Sequence, residues 1–258
     1  MTDSSSLRSL GVICARGASK RLPRKHMREL GGVPLVSWMC RAAAASKLTR
    51  VVITTEDAEI AAVAAANGAE VLFLREPHLA EDFAADHDIV VDALNRAESN
   101  DGTRYDIVVM IQPTTPFTLP EDIDGCLARL SENQELATCF TVKPVSEPPQ
   151  WMFIENDHRY AIPLLDGIGN NNIAHKQLLT QYWLPSGAAY AIRASALRMQ
   201  ARIYCEPFAL QPMDRARSVD IDEAIDLTIA EAIATMHGYQ PVALNLTRPR
   251  LADTGDQK

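Results

Sequence analysis

The sequence predicts an α/β fold: a mostly parallel sheet with helices on both faces. Two observations carry this. Short apolar runs alternate five times with helix-like segments across short connections, the pattern of parallel strands joined by crossover helices. The first run, Leu10 to Ala15, breaks at Gly17 into a loop carrying Arg16, Lys20, Arg21, Arg24 and Lys25 in a chain of net charge −8. A strand, a glycine and clustered cations are how α/β sheets hold phosphate.

The elements follow in order. Residues 1–6 read as a loose tail. Glu29 to Pro34 is a turn, and Pro34 suits the first turn of a helix over Leu35 to Ser46, with Val36, Met39, Cys40 and Ala43 on one face. Val51 to Thr55 is the second strand. Asp57 caps a helix over Ala58 to Asn67 that stops at Gly68. Val71 to Leu74 is expected as a third strand, followed by an irregular polar stretch over 75–86 and a helix from His87 to Glu98. Asp106 to Ile111 is a central strand ending in Gln112-Pro113-Thr114-Thr115-Pro116. Pro120 and Glu121 open a helix to Leu130, and Ala137 to Val142 is the fifth strand.

The alternation then stops. Pro144, Pro148, Pro149 and Pro163 cluster around a short strand at Trp151 to Ile154, and Gly167 to Asn172 is rich in turn residues. Residues 143–184 are therefore expected to be an inserted subdomain between two parts of the main domain, 7–142 and 185–248. Trp151, Tyr182 and Trp183 fit its core or an interface. Gly187 to Ile192 returns to the sheet, Ala194 to Arg202 and Glu223 to His237 are helices, and Pro207 to Leu210 is a short strand. Residues 249–258 read as a frayed end.

Composition excludes several classes. The acidic balance argues against general nucleic-acid binding. Five scattered cysteines without a C-x-x-C pair point to reduced thiols. The N-terminus lacks the apolar core of a signal peptide, and no apolar run approaches the ~20 residues of a membrane span, so a cytoplasmic protein is expected. The six histidines have no metal-ligand spacing. Walker, dinucleotide and G-x-S-x-G signatures are all missing.

Asp220 and Asp222 are two apart in an extended segment, so their carboxylates share a face while Val219 and Ile221 face inward. Such a pair suits a hard divalent cation such as Mg2+ beside a triphosphate. It equally suits Asp222 as the cap of the last helix with Asp220 as a solvated neighbour. Gln112 to Pro116 fits either polar contacts to ribose, base or sugar, or a rigid proline turn.

Taken together these segments resemble a family. Ala15-Arg16-Gly17-Ala18-Ser19-Lys20-Arg21-Leu22-Pro23-Arg24-Lys25 is similar to the signature of the acylneuraminate cytidylyltransferases, the CMP-N-acylneuraminate (CMP-sialic acid) synthetases. Thr54 to Asp57, Arg75 before Leu79-Ala80, Gln112 to Pro116, Gly187 to Tyr190 and Ser218 to Asp222 follow in the family's order, over about residues 8–238. The resemblance implies a nucleotidyltransferase fold with a Rossmann-like sheet and a small dimerisation subdomain, CTP and Mg2+ as requirements, a homodimer, and transfer of CMP to the anomeric hydroxyl of an acidic nonulosonic sugar. Pyrophosphate is the product that leaves. It implies that Arg16, Gly17, Ser19, Lys20 and Lys25 hold the triphosphate and Arg75 reads the cytosine edge. Gln112, Thr114, Tyr190 and Lys176 would bind the sugar acid. Asp220 and Asp222 would bind the metal, one of them helping to deprotonate the hydroxyl. Arg16 and Lys25 would stabilise the charge that develops.

The chain also departs from the family's pattern. His26 stands where Asn is usual, Phe83 to Asp86 lack a Thr-Ala-Ser run, and Thr118 replaces a common Arg. Leu184-Pro185-Ser186-Gly187 replaces Arg-Pro-Asn-Gly, and Gln150 and Lys176 sit near positions that are often Lys and Arg. The nucleotide half is kept and the sugar half altered, which leaves N-acetylneuraminate, legionaminate, pseudaminate or another ulosonate open. Two further readings fit the same alterations: a nucleotide-binding homologue with weak catalysis, and a nucleotidyltransferase for another sugar or base.

Overall fold

A computed structural model describes residues 7–165 and 179–244. Its elements are β1 (Ser9–Cys14), β2 (Glu29–Leu30), β3 (Val33–Pro34), α1 (Leu35–Ala45), β4 (Arg50–Thr54), α2 (Ala58–Ala66), α3 (Asp86–Asp101), β5 (Ile107–Ile111), α4 (Pro120–Glu132), β6 (Thr138–Pro144), β7 (Phe153–Glu155), β8 (Ala161–Pro163), β9 (Trp183–Arg193), α5 (Ala194–Gln200), β10 (Phe208–Pro212) and α6 (Ala224–His237). Six strands form one sheet in the order β10-β6-β9-β5-β1-β4.

The alternation of side chains along the strands decides the layers. Ile13, Ile53 and Ile111 face α1, α2 and α4, while Val12, Val52 and Met110 face α3 and α5. Both faces are covered, so the strands read as continuous apolar runs. A third cluster, with Leu22, Leu30, Leu35, Trp38, Phe117, Ile221 and Ala230, docks α6 against the β2–β3 hairpin. That hairpin turns at Gly31 and Gly32, both at positive φ, which glycine adopts without a Cβ clash.

Most expected elements stand within a residue or two of their predicted limits. Asp57 caps α2, accepting bonds from the Glu59 and Ile60 N–H groups at 2.9 and 3.2 Å. The expected third strand at Val71 to Leu74 does not form. The Glu70 N–H bonds to Val51 O and the Arg75 N–H to Thr55 O. Five steps of chain thus lie against four on β4, and the segment between bows away instead of pairing.

The sheet is mixed rather than uniformly parallel. β9 runs antiparallel to both β5 and β6, while the other pairings are parallel. The chain leaves β6 at Pro144 and re-enters opposite it at Trp183. With no crossover to the far end of the sheet, the return strand pairs antiparallel. Lys143, Pro144, Trp183 and Leu184 therefore belong to the sheet, which narrows the expected insertion. Within it the described residues include a two-stranded β7–β8 ribbon with Phe153, Ile154, Ile162 and Leu164 exposed. The tails, the Gly167 to Asn172 turn and Lys176 lie outside the described residues. All five cysteines are free. Among the described residues no helix is long and apolar enough to cross a membrane.

Candidate active site

β4 lies on one side of β1 and β5 on the other, so the chain leaves the strand ends in opposite directions and opens a crevice there. The loops after β1 and β5 face each other across it. The crevice holds a cavity of about 360 Å3 whose lining includes Arg16, Lys25, Arg75, Gln112, Thr114, Asp220 and Asp222. Residues from four distant parts of the sequence thus converge on one site.

Its cations are held by carboxylates. Arg16 Nη1 pairs with Asp82 Oδ1 at 3.0 Å, and Lys20 also pairs with Asp82. Lys25 Nζ stands 2.9 Å from Asp222 Oδ1, and Arg21 Nη2 stands 2.7 Å from Asp222 Oδ2. A triphosphate would offer these cations the same hard oxygen acceptors that the carboxylates supply. Gly17 has another role: its N–H donates to Glu56 Oε1 at 2.7 Å, and a Cβ there would stand 2.7 Å from Asp57 Oδ2. A side chain there would crowd the Asp57 carboxylate that caps α2, and the N–H is held by a carboxylate just as the loop's cations are. Ser19 and Lys20 lie on the same loop outside the cavity wall.

Arg75 is almost fully buried. Its Nε donates to Thr54 Oγ1 at 3.0 Å, and Nη2 donates to Ala15 O at 3.1 Å and to Thr54 O. It ties the ends of β1 and β4 together and forms cavity wall at the same time.

The carboxylate pair follows from α6. Ile221 is fully buried and its N–H donates to Thr114 O at 2.8 Å, so the Asp220 to Asp222 segment is anchored against the loop after β5. Asp222 does not cap α6. Glu223 holds the cap position, and Asp226 accepts from the N–H groups of Asp222 and Glu223 at 3.0 and 2.8 Å. Both aspartates are thereby left free for the cavity. Burial pushes the Asp220 carboxyl above the ordinary carboxylate range, opposed by the Thr114 hydroxyl. Burial also raises Asp222, but Lys25 and Arg21 outweigh it and hold that carboxyl below the usual range.

Asp220 Oδ1 is buried without a hydrogen-bond partner. An orphaned carboxylate oxygen beside a second carboxylate is a donor set that fits Mg2+, which takes one or two protein carboxylates and completes its shell with phosphate oxygens and water. Among the described residues no three His, Cys, Asp or Glu side chains form a metal cluster, so any such ion would lean on the nucleotide.

Tyr190 stands behind the cavity rather than in its lining. It is buried in the α3/α5 layer, stacked on Phe140 with centroids 5.9 Å apart and edge-on to Tyr204 at 5.7 Å. Burial raises its hydroxyl pKa. It is not among the residues that line the cavity, but its ring packs directly behind that wall, and the charges of Asp220 and Asp86, both of which line it, add to the rise.

Sequence reasoning did not single out Asp82, Asp86 or His26 as cavity residues, yet all three line it. The first two lie in or just after the irregular stretch following the expected third strand. Acidic residues placed between an arginine and a helix start were the available signal. Asp86 opens α3, and burial raises its carboxyl against the opposing pull of Arg75. His26 is buried, with Nδ1 unpartnered; burial first, then Lys25, Arg16 and Arg75, lower its pKa to about 3.

Comparison with known proteins gives the family. Residues 10–152 match the family model described as cytidylyltransferase. The chain is 28% identical to the post-translational flagellin modification protein B of Campylobacter coli, over 86% of this chain and 93% of that protein. It is 30% identical to the CMP-N,N'-diacetyllegionaminic acid synthase of Legionella pneumophila, over 90% and 98% of the two chains. Its fold is similar to that of a CMP:2-keto-3-deoxy-manno-octonic acid synthetase solved with CTP, at a TM-score of 0.63 and 17% identity, covering 89% of this chain and 99% of that one. By family match and by relatives of nearly full length, the chain belongs to the cytidylyltransferase family and is a CTP-dependent nucleotidyltransferase.

Proposed function

We propose that the protein transfers CMP from CTP to the anomeric hydroxyl of an acidic 2-ulosonic sugar of the sialic, legionaminic or pseudaminic acid kind, releasing pyrophosphate. The observation that carries this reading is the meeting of the β1-loop cations with the Asp220/Asp222 pair in one cavity at the strand ends. The naming of a 30%-identical, nearly full-length relative as a legionaminic acid synthase supports the acceptor class.

In this reading Arg16, Lys20, Arg21 and Lys25 exchange their carboxylate partners for the triphosphate and offset the charge of the leaving pyrophosphate. Ser19 adds a hydroxyl from the same loop. Arg75 and Asp86 present a donor and an acceptor to the base. Gln112 and Thr114 contact the sugar acid; Tyr190 and Lys176 are assigned to it by the family resemblance alone. The acceptor hydroxyl attacks the α-phosphorus, the bond to the α–β bridging oxygen breaks, and the hydroxyl proton passes to an aspartate. Asp220 suits that task by position, because it lines the cavity and its Oδ1 has no hydrogen-bond partner. Mg2+ on Asp220 and Asp222 would neutralise phosphate charge when bound.

The exposed apolar residues of the β7–β8 ribbon and of the start of β9, Trp183 and Leu184, favour a homodimer in which a second copy covers them. Light scattering on purified protein distinguishes dimer from monomer. Use of CTP and five free cysteines fit a cytoplasmic setting.

The test is pyrophosphate release from CTP and Mg2+ with a panel of N-acetylneuraminic, legionaminic, pseudaminic and 3-deoxy-manno-octulosonic acids. Turnover of at least one, with CTP strongly preferred over UTP, is expected. A folded protein that binds CTP but turns over none of a broad panel supports instead a nucleotide-binding homologue.

A further inference from the structure

Resting on the acceptor class just argued, we propose that Lys143 binds the carboxylate of the sugar acid and so fixes its anomeric hydroxyl beside Asp220. In a 2-ulosonic acid the carboxylate carbon is bonded directly to the anomeric carbon. The negative charge therefore travels with the hydroxyl that attacks. Whatever cation holds that carboxylate must stand next to the group that receives the hydroxyl's proton.

Lys143 meets this requirement by position. It lies near the end of β6, opposite Leu184 on β9. Its Nζ is 3.5 Å from the carbonyl oxygen of Ser218, two residues before Asp220. Lys25 and Lys143 are the two cations whose charge bears on the Asp220 carboxyl. Lys25 is engaged by Asp222, as are Arg16 and Lys20 by Asp82, and Arg217 by Asp122. Lys143 has no carboxylate partner among the described residues, and its one polar contact is at the far limit of a hydrogen bond.

A half-buried ammonium with no carboxylate partner is open to an incoming anion. The triphosphate already has the cations of the first loop. The second anion of the reaction is the acceptor's carboxylate, and Lys143 supplies its counter-charge from a different element.

The experiment uses the full chain and whichever of the legionaminic, pseudaminic and 3-deoxy-manno-octulosonic acids the wild type turns over fastest. Lys143→Met is expected to raise the KM for that acid roughly 10- to 100-fold, the range for a lost charge-assisted contact. kcat should fall much less, and CTP affinity by calorimetry should be unchanged. Lys143→Arg should recover part of the loss. The methyl ester of the acid should be a poor substrate for the wild type, and Lys143→Met should discriminate far less between acid and ester. A folded Lys143→Met protein with wild-type KM, or with undiminished discrimination, overturns the proposal alone. A wild type that binds CTP yet transfers CMP to none of the acids removes the acceptor reading and this inference with it.

Discussion

Gly187 and Asp220 are packed so closely that a Cβ on the glycine would stand 3.3 Å from the aspartate's Oδ2. Gly187 also sits at φ +85, a region that other residues occupy only under strain. β9 therefore sets where the Asp220 carboxylate can be. Gly187→Ala is expected to destabilise the fold by about 1–2 kcal/mol and to lower kcat roughly tenfold by displacing a reacting group. Urea unfolding and steady-state kinetics check the two effects separately; wild-type kcat in the variant would show that the contact is slack.

Arg75 joins wall and scaffold, so its removal acts on both. Arg75→Ala leaves the carbonyls of Ala15 and Thr54 without this donor. A loss of about 2–3 kcal/mol is expected from unpaired buried groups. CTP-over-UTP preference in this variant should be measured well below its unfolding midpoint. An unchanged midpoint would mean water replaces the guanidinium at no cost.

If Arg16 and Lys20 hold the triphosphate as proposed, Asp82 competes with it for them. It holds Arg16 and Lys20, and the pairing with Lys20 lowers its own pKa most. Asp82→Asn should tighten CTP binding roughly two- to fivefold, the scale of an exposed ion pair, with the gain shrinking as salt rises. Weaker binding in calorimetry would instead assign Asp82 a direct role in holding the nucleotide.

His26 makes stability depend on acid. Above its ordinary pKa of 6.5 the imidazole is neutral in both folded and unfolded chains. Below that, the unfolded chain takes up a proton that the buried ring refuses until about pH 3. Stability therefore falls as pH drops through this window. From pH 7 to pH 5 the loss from this group is on the order of 2 kcal/mol. His26→Gln should show a correspondingly flatter decline in urea unfolding at the two pH values. An equal decline in both proteins would mean the ring protonates in place.

Much of the site was legible because local chemistry wrote it. The cationic loop after β1 needs only a strand, a glycine and charges close in sequence. Asp57 as a cap and the inward-facing Ile221 likewise follow from nearest-neighbour rules. Val71 to Leu74 misled because apolar content cannot show that a stretch carries one residue too many to pair with β4. The direction of β9 was hidden for a related reason. It depends on where the chain returns after residue 144, and strand composition is the same in either direction.

By itself the sequence determined the class of chemistry: alternating strands and helices, a cationic loop after the first strand and a carboxylate pair two residues apart, all set by short-range spacing. Tertiary structure alone decided which of these groups meet. It joined Lys25 to Asp222 across 197 positions, buried Tyr190 in the α3/α5 layer and brought Lys143 beside Ser218. It also turned Asp222 from a candidate cap into a cavity residue by giving the capping bonds to Asp226. The physical reason is that burial and charge pairing depend on distances between elements, and those distances exist only once the sheet, the return of β9 and the docking of α6 have closed around the strand ends.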